Sequence, residues 1–223
     1  MVELLSHFGD DLMVVNAARV SYGKNKGVLD AKDEKLISYL VNHKHTSVFR
    51  HPQLQFRITC PIYVERQLRK HEIGMEVGLA PEPNSSINSI SGRYVDFSDS
   101  YYKIEQFRLQ SKDSKQGSSE DLNGADNLHA LQIQKKVIEW CSKAYQDLLD
   151  MGVAKEQARS VLPLSLNTTF IWTGSFLSFV HLFGLRLKKD TQQETREVAE
   201  KMLQAIKEIP NNPFELSLKA FNL

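Results

Sequence analysis

The stretch Gln53-Leu54-Gln55-Phe56-Arg57-Ile58-Thr59-Cys60-Pro61-Ile62-Tyr63-Val64 decides the architecture. Up to Cys60 it alternates strictly, with Leu54, Phe56, Ile58 and Cys60 on one side and Gln53, Gln55, Arg57 and Thr59 on the other, the period of a strand with one buried face. Pro61 ends the alternation, and its fixed φ suits the first turn of a helix. A half-buried strand therefore feeds a helix, on which Gln67, Lys70 and His71 share one face while Ile62, Val64 and Leu68 are free to pack.

Working outward, residues 2–8 read as a strand, and Asp10 or Asp11 can cap a helix carrying Met13, Val14, Ala17 and Ala18. Gly23 and Gly27 mark a loop, and residues 31–43 place Leu36, Ile37, Leu40 and Val41 at helical spacing. Residues 74–88 hold glycines, prolines, Asn84 and two serines and read as a surface loop, 93–97 as a short strand, and 111–124 as polar and poorly ordered. A long helix over 126–151 stops at Gly152. A further helix spans 155–162, and 164–172 alternates as a second strand. An apolar helix over 175–187 carries His181 and Arg186. Thr191-Gln192-Gln193-Glu194 has the form of a capping box that starts a final helix to about residue 209. With no repeat and no linker, residues 1–223 read as one α+β domain, a small antiparallel-type sheet packed by helices.

Composition narrows the function. Lys plus Arg total 28 against 27 Asp plus Glu, a formal net charge of +1, so no basic field is available to hold nucleic acid and any anion must be gripped locally. No apolar run approaches bilayer length and residues 1–20 lack a signal-peptide pattern, so a membrane or exported protein is not expected and the cytoplasm is. Cys60 and Cys141 stand in no metal or redox spacing. Both read as core or surface thiols rather than nucleophiles. His43, His45 and His51 match no strong zinc spacing, which favours a polar cluster or ligand contact over a metal. Gly-x-Gly and Walker-type loops are absent, so phosphate must be held by side chains. Ser91-Gly92-Arg93 offers a hydroxyl, an unhindered backbone N–H and a forked guanidinium, a combination suited to phosphate. By pattern alone Arg159 is a solvated helix arginine. Arg186 ends an almost wholly apolar helix, where it either reaches solvent or meets an anion, and His181 reads more readily as a hydrogen-bonded core residue than as a cofactor contact.

These pieces, in order, resemble the flavin-dependent thymidylate synthases of bacteria and phages: Ala17-Ala18-Arg19-Val20-Ser21, His43-Lys44-His45-Thr46-Ser47, Pro61 to Gln67, Asn88 to Tyr94, Ala158 to Leu166, and Leu185-Arg186 followed by Gln192-Gln193-Glu194. The resemblance implies that family's α+β fold and a cytoplasmic homotetramer, in the host cytoplasm if phage-encoded, whose sites are shared between subunits. It implies reductive methylation of dUMP to dTMP, with carbon from methylenetetrahydrofolate and hydride from FAD that NADPH recharges. No metal is implied. Carried over by position, Gln67, Lys70, Ser89, Ser91, Gly92, Arg93, Arg159 and Arg186 contact dUMP, with Arg186 as the catalytic group against the uracil ring. Ser21, Ser47, Arg50, Lys70, His71, Glu72, Ser175 and His181 contact FAD. The family triplet Arg-His-Arg is here Lys70-His71-Glu72, with Arg69 one place early and a longer interval, residues 75–86, before Ser91. Ser175 and Leu177 stand where the family usually has Asn and Arg. A nucleotide- and flavin-binding homologue with impaired turnover is the alternative implied by that triplet, and a flavoenzyme that merely oxidises NADPH is a third.

Overall fold

The computed structural model describes residues 1–71, 87–95, 100–112 and 117–223. At its centre β2 (Gln53–Pro61) pairs antiparallel with β6 (Asn167–Ser175) over their whole length, from Gln53 opposite Ser175 to Pro61 opposite Asn167. Strand β1 (Val2–Phe8) lies on the other edge of β2 and β3 (Ile87–Ser89) on the other edge of β6, giving the order β1-β2-β6-β3. The expected alternation holds, since Leu54, Phe56, Ile58 and Cys60 are buried with Phe170 and Trp172 from β6. The opposite face is laced by cross-strand pairs, as strand geometry favours: Arg57 with Glu3 at 2.8 Å, Gln55 with Thr173 at 3.0 Å, Thr59 with Thr169 at 2.8 Å.

The helices are α1 (Asp11–Arg19), α2 (Ala31–Asn42), α3 (Ile62–Leu68), α4 (Gly124–Asp150), α5 (Lys155–Ala158), α6 (Phe176–Arg186), α7 (Gln193–Lys207) and α8 (Glu215–Ala220). Of these, α1, α2, α3, α6, α7 and α8 build the core on the apolar face, while α4 and α5 pack against each other and the turn that follows α5. Asp10 caps α1 and Asp30 caps α2 through a capping box, while Gly152 at φ +81° follows the end of α4. Phe56, Trp172 and Phe179 meet edge to face at the centre of the core. Full burial of one such ring contributes about 2–3 kcal/mol. Among the described residues no helix is long and apolar enough to cross a membrane.

Several expectations are corrected. Pro61 closes β2 and stands at the N-cap of α3, which ends at Leu68; the chain then tightens, with Lys70 N–H bonded to Gln67 O and His71 N–H to Leu68 O. Lys70 and His71 therefore lie past the helix and share no helical face with Gln67. Residues 87–89 form a strand because Ile87 and Ser89 register against Trp172 and Phe170 on β6, while 74–86 fall outside the described residues. Residues 93–95 form a turn closed by Tyr94 and Val95 N–H groups on Ser91 O, not the start of a strand, and 96–97 are outside the described set. The polar segment 111–124 contains β5 (Ser118–Asp121), paired with β4 (Arg108–Gln110), and the first residue of α4.

Leu164 is exposed and β6 begins only at Asn167, because Pro163 and Leu166 close a turn. The helix expected over 155–162 is α5 followed by a 3-10 turn, Arg159–Val161, that runs into Pro163. Gln192, not Thr191, precedes α7 and makes no side-chain cap; Thr191 bonds back to Leu185 O instead. The chain adds one more helix, α8, and the buried Asp11 carboxylate accepts from the Leu216 and Ser217 N–H groups in its first turn.

Candidate active site

Arg186 is the last residue of α6. Seven of that helix's eleven residues are buried, so the guanidinium emerges where the apolar cylinder meets the surface, and it is half-buried there. It donates from Nε to Nε2 of His71 at 2.8 Å and from Nη2 to Gln67 O at 3.2 Å. The tightened turn after α3 is what turns both acceptors toward it. Both acceptors are neutral, and the half-exposed guanidinium reaches solvent at the helix end, as one of the two expectations had it. Its pKa is lowered by burial, yet a guanidinium stays charged at neutral pH. Among the described residues its hydrogen-bond acceptors are both neutral, which leaves its charge for a ligand.

His71 completes the arrangement. Burial, then the Arg186 cation, then His181 push its pKa down to about 4, so at neutral pH the ring is uncharged, with the proton on Nδ1 and a lone pair on Nε2 facing Arg186. Beside this pair lies a cleft of about 500 Å³ lined by Gln67, Arg186, Lys188, Asp190, Thr191 and Gln192 among others.

The Gln67 side chain is held from both ends. Its Nε2 donates to Gln192 Oε1, and its Oε1 accepts from Thr195 Oγ1 at 3.2 Å. Gln192 Nε2 donates to Glu194 Oε2 at 2.9 Å, and Arg108 Nη2 donates to Glu194 Oε1 at 2.6 Å. Burial opposes ionisation of Glu194, but the hydrogen bonds from Arg108 and Gln192 outweigh it and its pKa lies below the ordinary value.

The other sequence-derived site residues are distributed more widely. Ser89 sits on β3, where its hydroxyl accepts from Arg69 Nη2 at 2.5 Å, and Arg69 also pairs with Glu65. Ser91 Oγ accepts from Arg93 N and Nε, both at 3.3 Å, while the Arg93 guanidinium lies 5.2 Å from the Tyr94 ring and Gly92 is buried beneath the turn. Arg159 is exposed on the 3-10 turn after α5, with Nε on Glu156 O. Neither Arg93 nor Arg159 lines the Arg186 cleft.

Lys70 is exposed, as are Ser21, Ser47 and Arg50 on the 3-10 turns Val20–Tyr22 and Thr46–Arg50. Ser175 is buried, capping α6 and bonding Ser178 Oγ at 2.6 Å. His181 is exposed rather than a core residue, because it falls on the outward side of α6. Glu72 lies outside the described residues.

Sequence reasoning missed Arg108 and Thr195, and it read Gln192 and Glu194 only as a helix start. The visible signal was Glu194, an acidic residue at the mouth of an amphipathic helix that turns out to be buried. Cys60 is buried and its thiol is pushed up to about 12 by that burial, so it carries no thiolate at neutral pH. Among the described residues no group of three or more His, Cys, Asp or Glu could hold a metal ion, and His43 stacks on Tyr39 with ring centroids 4.0 Å apart.

A four-stranded antiparallel sheet under helices, with an arginine that forms no ion pair among the described residues and lines a polar cleft, defines an α+β protein suited to an anionic or anion-forming ligand. The family model described as thymidylate synthase complementing protein matches residues 3–211, and the chain belongs to that family. Among its relatives, the flavin-dependent thymidylate synthase of Thermus thermophilus is 38% identical over 207 residues, spanning 93% of this chain and 71% of that protein. The flavin-dependent thymidylate synthase of Kosmotoga olearia is 40% identical over 202 residues, 89% and 81% of the two chains. A crystal structure of the UMP/dUMP methylase PolB from Streptomyces cacaoi bound with 5-Br dUMP has a TM-score of 0.82 at 29% identity, covering 100% of this chain and 94% of that one.

Proposed function

We propose that this chain is a flavin-dependent thymidylate synthase, converting dUMP to dTMP with methylenetetrahydrofolate as carbon donor, FAD as bound cofactor and NADPH as the reductant. The observation that carries the reading is the Arg186 cation, held by the neutral His71 and Gln67 acceptors at the edge of the cleft. Cys60 is buried as a thiol and Cys141, on α4, does not line the Arg186 cleft, so in this reading uracil C5 is activated electronically. Arg186 does this by stabilising negative charge on the ring as N3 loses its proton, an effect that a preorganised donor in a water-poor site makes large.

The residues suit a flavin. Lys70 and Arg50 are exposed cations that form no ion pair among the described residues, so their charge is available to a diphosphate, and Ser21, Ser47, His71, Glu72, Ser175 and His181 complete the proposed set. When bound and reduced, the flavin supplies the hydride. Gln67, Lys70, Ser89, Ser91, Gly92, Arg93 and Arg159 hold dUMP in this reading. Because Arg93 and Arg159 lie away from the Arg186 cleft of their own chain, a homotetramer, in the cytoplasm, brings them to a neighbour's Arg186. The impaired-homologue alternative is not favoured, since Lys70 keeps a cation where the family has arginine and His71 and Arg186 are paired.

The test is product analysis. FAD-loaded protein given dUMP, methylenetetrahydrofolate and NADPH should yield dTMP by chromatography. NADPH consumption without dTMP would support a simple oxidase, and dUMP binding without turnover the impaired homologue.

A further inference from the structure

The hydrogen-bond chain behind Gln67 has a direction, and one residue sets it. A carboxylate only accepts hydrogen bonds, whereas a glutamine amide donates at one end and accepts at the other. Glu194 is buried and ionised, gripped on Oε1 by Arg108. Gln192 must therefore turn its NH2 toward Glu194 Oε2, which leaves its carbonyl oxygen facing Gln67. Gln67 must meet that oxygen with its own NH2, so its carbonyl falls to the Thr195 hydroxyl. Thr195 is fully buried, and a hydroxyl adapts to either polarity, so it does not fix the amide by itself.

Reversing Gln67 would set two carbonyl oxygens against each other at the half-buried Gln192 contact, and an unmade hydrogen bond of that kind is costly. Gln67 also gives its backbone carbonyl to Arg186, so the same residue joins the chain to the guanidinium. Arg108 stands on the β4–β5 hairpin, 86 residues from Glu194, and its Nε bonds Ser118 across that hairpin at 2.8 Å.

We propose that Glu194 is a positioning residue which, held by Arg108 and acting through Gln192, fixes the orientation in which the Gln67 amide meets the nucleotide. The proposal rests on the reading of the Arg186 cleft as a dUMP site. Glu194 touches no substrate in this scheme, and its effect is transmitted wholly through the polarity of two amides.

The discriminating experiment is a double-mutant cycle with dUMP as the probe, titrated calorimetrically into flavin-loaded protein. Glu194→Gln keeps the volume, but with its carbonyl held by Arg108 it turns an NH2 toward Gln192, so the chain is driven to the opposite polarity. It should weaken dUMP binding about tenfold in the wild-type background and less than about twofold in a Gln67→Ala background, since coupled residues show such non-additivity and independent ones do not. Gln192→Met, which interrupts the chain at a half-buried position with a side chain of similar length, should reproduce the result and serves if Glu194→Gln does not fold. Equal losses in both backgrounds would make Glu194 merely structural and overturn the proposal, as would unchanged binding in either single variant. Wild-type protein that binds no dUMP would overturn the nucleotide reading itself, a result separable from the others because it needs no variant.

Discussion

Arg186 Nε and His71 Nε2 lie 2.8 Å apart, joined across 115 residues of sequence. The pair works only because the histidine is uncharged: a protonated ring would have no lone pair to offer and would repel the guanidinium. Among the described residues Arg186 forms no ion pair, and its charge is met there only by neutral acceptors.

Replacing Arg186 by lysine keeps the charge but loses the fork that reaches His71 and Gln67 together. dTMP formation should fall about 10²- to 10³-fold, the scale of a lost transition-state donor. Unfolding free energy should change by only about 1 kcal/mol. Turnover assays beside urea denaturation check both; turnover within twofold of wild type would remove Arg186 from the chemistry.

Two groups shifted by desolvation, the half-buried His71 and the buried Asp11, give opposing pH gradients in one window. His71 has its pKa lowered from 6.5 to about 4, so its contribution is fully present above pH 6.5 and is lost as the pH falls toward 4. Asp11 is raised from 3.8 to about 6, by burial against the opposing donors of Ser217 and Leu216, so its contribution is present below 3.8 and is lost as the pH rises through 6. Each is worth about 1–2 kcal/mol across the window. The stability of wild type minus His71→Gln should therefore rise from pH 4 to 6.5, and that of wild type minus Asp11→Asn should fall from pH 4 to 6. Urea titrations at several pH values read both differences, and gradients of the same sign would contradict the assignment.

Gly9 has φ +81°, and a Cβ there would lie 2.6 Å from Met13 Sδ and 3.3 Å from Pro52 Cα, whereas Gly23 at φ +63° has nothing within 4 Å of the same position. Gly9→Ala should cost about 2–3 kcal/mol, backbone strain plus a clash, and Gly23→Ala about 1 kcal/mol from strain alone. Thermal unfolding of the two variants ranks them, and equal costs would mean that Met13 moves aside freely.

Arg69 ties Glu65 of α3 to Ser89 of β3. Arg69→Met should raise the KM for dUMP about three- to tenfold with kcat little changed, since Ser89 would lose its orienting donor while Arg186 stays in place. A fall in kcat at constant KM would show instead that Arg69 acts in the chemical step.

The chain's own residue order determined the strands and helices with strong periodicity. The alternation in β2, the amphipathic spacing of α2 and the glycine stop after α4 are local patterns that burial then reinforces. Local patterns also carried the family resemblance, and through it Arg186 and His71. Tertiary structure alone decided what those residues do to one another. No spacing rule could show that the turn after α3 tightens so that His71 and the Gln67 carbonyl both meet Arg186, or that a helix-start glutamate is buried against Arg108 of a hairpin. Nor could composition show that residues 118–121 pair as a strand. Those outcomes depend on contacts between segments about 100 residues apart, whose energies arise from desolvation and hydrogen-bond matching, and neither exists until the sheet has brought the segments together.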